Sequence, residues 1–205
     1  MGIAASWIAL KGVDKAEAFE RLGFLDMGEP GELYALEPSY AEMPGGWLVI
    51  LSPEYDDAWP KQLAALSVGG EALACAIEEH VMCSVAWGYA GGREVWSLDH
   101  DPDKGGIRHL AVTGAPPAEL DAIREAAFAE QAEEDRGRAM ADYVFSVPVD
   151  LVYALCGFRA DGTEIEGGDP QMTLLEPIRP AKRAAPAASS GGGLFKSLAG
   201  LFKRG

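Results

Sequence analysis

The 205-residue sequence has only three cysteines, three histidines and no long apolar run. Its longest uninterrupted apolar runs, WLVIL and ALACAI, fall far short of the roughly 20 residues that a membrane-spanning helix needs. Cys75, Cys83 and Cys156 are odd in number, lie within apolar runs and form no Cys-x-x-Cys pair, which indicates buried reduced thiols rather than a disulfide framework. These absences predict a cytoplasmic protein without a transmembrane segment.

Phosphate-binding motifs and basic residues are also scarce. Neither GxxxxGK[ST] nor GxGxxG occurs. Lys and Arg number 17 against 32 Asp and Glu, which gives a formal net charge of −15. Because contacts to nucleic-acid phosphates require a basic surface, this charge argues against a nucleic-acid partner. We expect no nucleic-acid binding and no cofactor.

Residues 1–177 have the composition and patterning of a single globular domain. ASWIALKGV predicts a strand, DKAEAFERLGF a helix with Asp14 as its N-cap, and GWLVILS a buried strand. Several strands follow from Gly70, and two later helices are predicted, one after Pro117 and one from Ser146 to Gly157. The Gly- and Pro-rich stretch before Trp47 is predicted as loop, with a short strand around 33–36. The fold class is α+β, with a mixed or largely antiparallel sheet covered by helices.

The segment GYAGGREV predicts a tight hairpin with Gly91 and Gly92 as its two central residues, since both can adopt positive φ. That register would place Trp87 opposite Trp96, Val85 opposite Leu98, and Cys83 opposite His100. After it, DPDKG at 101–105 predicts a β-turn with Pro102 in second position.

Polar side chains of ligand type gather around this hairpin. Imidazole, thiolate and carboxylate groups bind zinc and iron, so a metal site is one hypothesis. Its candidate ligands are Glu78, His80, Cys83 and His100. No HExxH or paired CxxC motif supports it. Cys83 beside His100 could also form a nucleophile and base, although an apolar setting raises a thiol pKa and makes it inert. A metal-dependent or thiol enzyme using residues 78–103 is therefore an alternative function.

The composition changes abruptly after Pro177. Residues 178–193 are mostly Pro, Ala, Ser, Gly and basic side chains, which predicts a disordered linker. Residues 194–205 predict a short amphipathic helix. Its apolar side carries Leu194, Phe195, Leu198, Ala199, Leu201 and Phe202, and its polar side carries Lys196, Ser197, Gly200, Lys203 and Arg204.

The tail and the body carry opposite charge. Six of the 17 basic residues and no acidic residue follow position 177, so 11 basic residues oppose 32 acidic ones in the body, a formal charge of −21. Such a tail suits a partner protein, an anionic membrane surface at the periphery of the inner membrane, or the protein's own domain. The predicted contact residues are Leu194, Phe195, Lys196, Leu198, Leu201, Phe202, Lys203 and Arg204.

The segments EEHVMCSVAW, VWSLDHD and DYVFSVPVDLVYALCGFRADG resemble those of a family of small bacterial proteins of unknown function. The resemblance extends from about Ser6 to Glu176 and implies a bacterial, cytoplasmic protein, but no activity and no functional residue. The sequence predicts a non-enzymatic binding or adaptor protein. A second alternative is an acidic immunity or inhibitor protein that masks a basic active site.

Overall fold

The computed structural model describes residues 2–35, 37–53, 59–135 and 141–178. The predicted linker beyond Ile178 and the predicted tail helix lie outside these residues. The described strands are β1 (Ala4–Lys11), β2 (Phe24–Gly31), β3 (Ser39–Met43), β4 (Trp47–Ser52), β5 (Glu71–Glu78), β6 (Cys83–Ala90), β7 (Arg93–His100), β8 (Ala111–Gly114) and β9 (Met172–Pro177). The described helices are α1 (Lys15–Leu22), α2 (Trp59–Leu66), α3 (Pro102–Gly105), α4 (Glu119–Glu134) and α5 (Ser146–Cys156).

The strands form one sheet of nine in the order β2-β9-β3-β4-β1-β5-β6-β7-β8. All neighbouring strands in this order are antiparallel. The α+β fold class and the antiparallel sheet are therefore confirmed. None of the described helices is long and apolar enough to cross a membrane.

Helices pack on both faces of the sheet and divide the core in two. On one side, here named the α1 face, buried side chains of α1 and α2 such as Phe19 and Leu63 pack against Ile8 and Ile50. On the opposite side, the α5 face, helix α5 packs on β5, β6 and β7, helix α4 packs against α5, and both contribute to the core that contains Trp7. Since successive residues of a strand point to opposite faces, the central strands are apolar at nearly every position.

Local signals in the sequence account for several element boundaries. The Asp14 carboxylate accepts a hydrogen bond from the Glu17 backbone N–H at 3.0 Å, which caps the first turn of α1. Helix α1 ends at Gly23 and α5 at Gly157, both in the left-handed conformation that glycine adopts without strain. The Asp14 N-cap of α1 and the end of α5 at Gly157 agree with the predictions.

The Gly- and Pro-rich stretch before Trp47 was predicted wrongly. The residues around Leu33 form a turn, and strands β2 and β3 flank it. Strand β9, which no sequence pattern indicated, lies between them. Strand β2 ends the sheet among the described residues and has a register shift between Asp26 and Pro30. Proline and irregular pairing are tolerated there because an edge strand needs hydrogen bonds on one side only.

The segment DPDKG also differs from its predicted β-turn. It forms the short helix α3, and the Asp101 carboxylate caps it by accepting a hydrogen bond from the Asp103 N–H at 3.0 Å. Proline at the first helical position lacks an N–H that would otherwise have no partner, so the same residues suit a helix start.

The hairpin turn is as predicted, but the register beyond it is not. Gly91 and Gly92 have φ of 56° and 80°. A bulge at Val95 then shifts the pairing, so the observed pairs are Ser84 with His100, Val85 with Asp99, Ala86 with Leu98, Trp87 with Ser97, and Gly88 with Trp96. Because a shift of one residue reverses the side-chain direction, Cys83 and His100 lie on opposite faces of the sheet.

The bulge creates a tight contact between Gly88 and Trp96. A Cβ atom on residue 88 would overlap the Trp96 indole ring. We expect Gly88→Ala to lower the free energy of unfolding by about 1 to 3 kcal/mol, the usual cost of overpacking a core. In a Trp96→Phe background the same substitution should cost less, since a smaller ring leaves room for the methyl group. Urea unfolding of the wild type, the two single variants and the double variant measures both values. If the free-energy losses of the two substitutions simply add in the double variant, the proposed contact between residues 88 and 96 is contradicted.

Candidate functional site

The four candidate metal ligands are spread over three environments. His80 is exposed, and its Nδ1 lies 2.6 Å from Glu78 Oε1. Cys83 is half-buried on the α1 face, whereas His100 is fully buried on the α5 face. Within residues 2–35, 37–53, 59–135 and 141–178, no group of three or more His, Cys, Asp or Glu side chains is placed to hold a metal ion.

The surroundings of His100 are those of a structural residue. Its Nδ1 donates to the His109 carbonyl oxygen at 2.7 Å, because that oxygen can only accept, and its Nε2 lies 3.1 Å from Asp142 Oδ2. The second Asp142 oxygen accepts the Phe145 backbone N–H at 3.1 Å. His100 therefore joins β7 to the segment that leads into α5.

The three thiols are poor nucleophiles. Burial raises the pKa of Cys75 well above its ordinary value and that of Cys156 to about 12. Burial, together with the charges of nearby aspartates, raises the pKa of Cys83 to about 11. These raised pKa values keep all three thiols protonated at neutral pH. Since the thiolate is the reactive form, the thiols react slowly. The nucleophile pairing predicted for Cys83 and His100 also fails on geometry, because the two side chains point to opposite faces.

The sheet has a half-exposed region on its α1 face, at β6 and β7. Helix α5 packs on these strands from the α5 face, where Ala86 and Leu98 are buried. On the α1 face, α2 packs against β5 and β6, and Val85 and Trp87 remain half-buried. The result is a groove of about 270 Å³, here named the Trp87 groove. Its lining side chains include Cys83, Val85, Trp87, Ser97, Asp99, Asp101 and Lys104.

Carboxylates surround one end of the Trp87 groove. Lys104 Nζ lies 2.6 Å from Asp99 Oδ2 and 3.3 Å from Asp101 Oδ2, so one ammonium group faces two carboxylates. The carboxylates of Asp101, Asp103 and Asp99 all raise the Cys83 pKa, which shows that their charge reaches the thiol. The groove therefore combines an apolar floor with a net negative rim.

Three larger depressions, of about 760, 580 and 370 Å³, lie elsewhere among the described residues, and the first two adjoin each other at Tyr153 and residues 165–169. A groove of about 760 Å³ runs beside the end of α5, but its aromatic side chains already contact cations of the chain. Lys11 lies 5.4 Å from the Trp47 ring centre, and Arg159 lies 5.3 Å from that of Tyr153. An apolar cavity of about 370 Å³ lies between the start of β1 and the turn at Leu33. None of these three depressions combines an aromatic ring that is not already in contact with a cation and a charged rim.

The sequence predicted the hairpin that carries Trp87 and a β-turn at Asp101, but not the groove that they form. The missing information was the bulge at Val95, which places Asp99 on the same face as Trp87. Acidic side chains at alternate positions of a strand were the available signal. The predicted tail contacts, Leu194 to Arg204, lie outside the described residues.

The chain matches no known protein-family model, and no curated protein or solved structure is significantly similar to it. The resemblance to small bacterial proteins thus stays a prediction.

Proposed function

We propose that the protein is a non-enzymatic binding or adaptor protein whose Trp87 groove docks a basic, apolar peptide segment. One observation supports this most directly: an aromatic and aliphatic floor lies half-exposed beside carboxylates, on a sheet whose opposite face is covered at the same strands. Half-exposed tryptophan is a common anchor in protein interfaces, and opposite charge at the rim selects the partner.

The chemistry of the groove defines the segment that it binds. A side chain of Leu or Phe size fills a groove of about 270 Å³ against Trp87. Lys or Arg on the flanks of that segment would meet Asp99, Asp101 and Asp103. The acidic body, with its formal charge of −21, attracts such a segment and repels acidic surfaces.

The test is titration of a fluorescently labelled 12-residue peptide of Leu and Lys, patterned as an amphipathic helix, with the full-length protein. Trp87→Ala is expected to weaken binding more than tenfold, since it removes the anchor. Asp99→Asn should weaken binding about two- to fivefold, as for an exposed ion pair, and added salt should do the same to the wild type.

Two controls make the titration specific. Glu20→Gln removes the same charge from the exposed surface of α1 and should leave the affinity unchanged. A Leu and Glu peptide of the same pattern should not bind. Equal affinities for the wild type, Trp87→Ala and Asp99→Asn would contradict the proposed function.

A further inference from the structure

Among the described residues, no long helix covers β7 on the α1 face, whereas α5 packs on β7 from the α5 face. Helices α1 and α2 cover the strands from β3 to β5 and part of β6, and their buried side chains form one apolar core with Leu48 and Ala74, against whose edge Trp87 packs. Beyond α2, the α1-face residues Val85, Trp87, Ser97 and Asp99 are half-buried, while their neighbours Ala86 and Leu98 are buried. One more amphipathic helix on this side would extend the layer that α1 and α2 begin.

The described chain ends on the same face and at the same end of the sheet as the groove. Leu175 belongs to the core of the α1 face, so Pro177 points to that side as well. The Ile178 N–H donates to the Gly23 carbonyl at 2.7 Å, at the end of α1. Following the paired residues from β9 across to β6 places Leu174 level with Ala86, and β9 continues from Leu174 in the direction in which β6 leads back to Cys83.

The remaining chain is long enough to reach the groove. Strand β9 lies five strand positions from β6 in the sheet, about 24 Å at the usual strand spacing. Residues 178–193 form a linker of Gly, Ser, Pro and Ala character, and a flexible chain of that length has an r.m.s. span of about 20 to 24 Å. Docking within one molecule therefore requires no stretching of the chain.

The tail has the chemistry that the groove requires. Leu198, Leu201 and Phe202 lie on one side of the predicted helix, and Lys196, Lys203 and Arg204 lie on the other. The apolar side matches the floor at Val85 and Trp87, and the cations match the carboxylates of the rim. No acidic residue follows position 177, so the tail brings no like charge to the rim.

We propose that residues 194–204 dock in cis into the Trp87 groove, beside α2, and so occupy the site until a competing segment displaces them. This inference rests on the proposed function, because it uses the same groove. The tail would then be an internal competitor. Any other basic segment would have to displace it, which lowers the apparent affinity of that segment for the groove.

Cys83 provides a probe built into the groove. Of the three cysteines, Cys75 and Cys156 are buried, and Cys83 is half-buried. A thiol reagent such as N-ethylmaleimide at one fixed, mildly alkaline pH therefore reports on access to Cys83 in the full-length protein. Peptide mass spectrometry assigns the modified residue.

Two neighbouring tail substitutions separate docking from charge. Leu198→Asp and Ser197→Asp add the same charge, but only Leu198 lies on the predicted apolar side. The linker gives the tail an effective concentration of about 1 mM near the groove. With a dissociation constant of about 0.1 mM, the groove would be occupied by the tail about ten times as often as it is empty. We expect Cys83 to react about tenfold faster in Leu198→Asp than in the wild type, and within about twofold of the wild type in Ser197→Asp. Equal rates in the wild type and Leu198→Asp would overturn the inference.

A synthetic peptide of residues 191–205 distinguishes failure of the inference from failure of the proposed function. If the wild type shows no protection but the added peptide slows labelling of Leu198→Asp, the groove binds such segments and only docking in cis is wrong. If the peptide has no effect either, both proposals fail. Protection that increases with protein concentration would show that the tail of a second copy occupies the groove, which also overturns docking in cis.

Discussion

Replacing Arg159 by methionine should lower the free energy of unfolding at neutral pH by about 3 to 5 kcal/mol, the usual effect of breaking a buried ion cluster on one side. Arg159 is only 8% exposed. Its Nε and Nη2 donate to the two Asp161 oxygens at 2.8 and 2.6 Å, and its Nη1 lies 3.1 Å from Asp150 Oδ1. Methionine would keep much of the packing but leave the buried Asp161 carboxylate and the half-buried Asp150 carboxylate without a counter-charge.

The free energy of unfolding that Arg159→Met removes should be larger at neutral pH than at acidic pH. Burial acts to raise the pKa of Asp161, but the hydrogen bond and charge of Arg159 outweigh it and hold the pKa below its ordinary value. A lowered folded-state pKa stabilises the protein above the unfolded-state pKa of about 3.9, and the stabilisation is lost as the pH falls through the folded value. Burial raises the pKa of Asp150, which contributes with the opposite sign. In Arg159→Met burial acts unopposed and raises the pKa of both carboxyls, so the difference from the wild type should shrink as the pH falls from neutral and the variant's carboxyls become protonated before those of the wild type.

Urea unfolding at neutral and acidic pH measures this difference. Arg124→Met is the matched control, because the Arg124 side chain is 47% exposed and pairs with Asp121 at 2.9 Å on the surface of α4. An exposed pair of this kind contributes less than about 1 kcal/mol. If the two substitutions cost the same, or if the cost at Arg159 is independent of pH, the cluster does not stabilise the fold as described.

Replacing His100 by leucine should cost a similar amount, about 3 to 5 kcal/mol, because it removes one partner of a buried polar pair. The His100 and Asp142 side chains are 0% and 6% exposed. Leucine would leave Asp142 Oδ2 and the His109 carbonyl oxygen without their hydrogen bonds. The structure then loses a connection between β7 and the start of α5 as well as the bonds themselves.

Thermal or urea unfolding of three variants tests the role of His100. His80→Leu removes an imidazole that is 61% exposed, and its loss should be below about 1 kcal/mol. His100→Asn can still donate one hydrogen bond and should cost less than His100→Leu. Equal destabilisation by all three substitutions would show that the buried pair of His100 and Asp142 contributes no more to stability than an exposed histidine does.

The sequence was most informative where structure depends on nearby residues. Asp14 at the start of α1, Gly157 at the end of α5 and the Gly91–Gly92 turn are local signals, and all three appear as predicted. The bulge at Val95 accompanies a non-local contact between strands, in which Trp96 lies over Gly88. The alternation of apolar and polar residues along β7 does not reveal the bulge. The bulge nevertheless determines which side chains of β6 and β7 lie on the same face of the sheet.

Long-range partners were equally inaccessible from the sequence. Strand β9 enters the sheet between β2 and β3, more than a hundred residues away along the chain. Arg159 stood in an apparent polar loop, and its role depends on burial against α5 and Asp161. The Trp87 groove has the same origin, since its floor and rim come from two strands whose register was shifted by one residue. The tail chemistry, by contrast, is visible in the sequence alone.

The most direct test of the groove is the indole N–H spectrum of the full-length protein, recorded by two-dimensional NMR during addition of the Leu and Lys peptide. The chain has five tryptophans, and Trp87→Phe identifies the signal of Trp87. Trp7 is fully buried and Trp96 nearly so, both toward the α5 face, which makes them internal references. We expect the Trp87 signal to shift progressively with peptide while the Trp7 and Trp96 signals stay in place. A Trp87 signal that does not move at saturating peptide, or that moves no more than those of Trp7 and Trp96, would contradict a docking site at this groove.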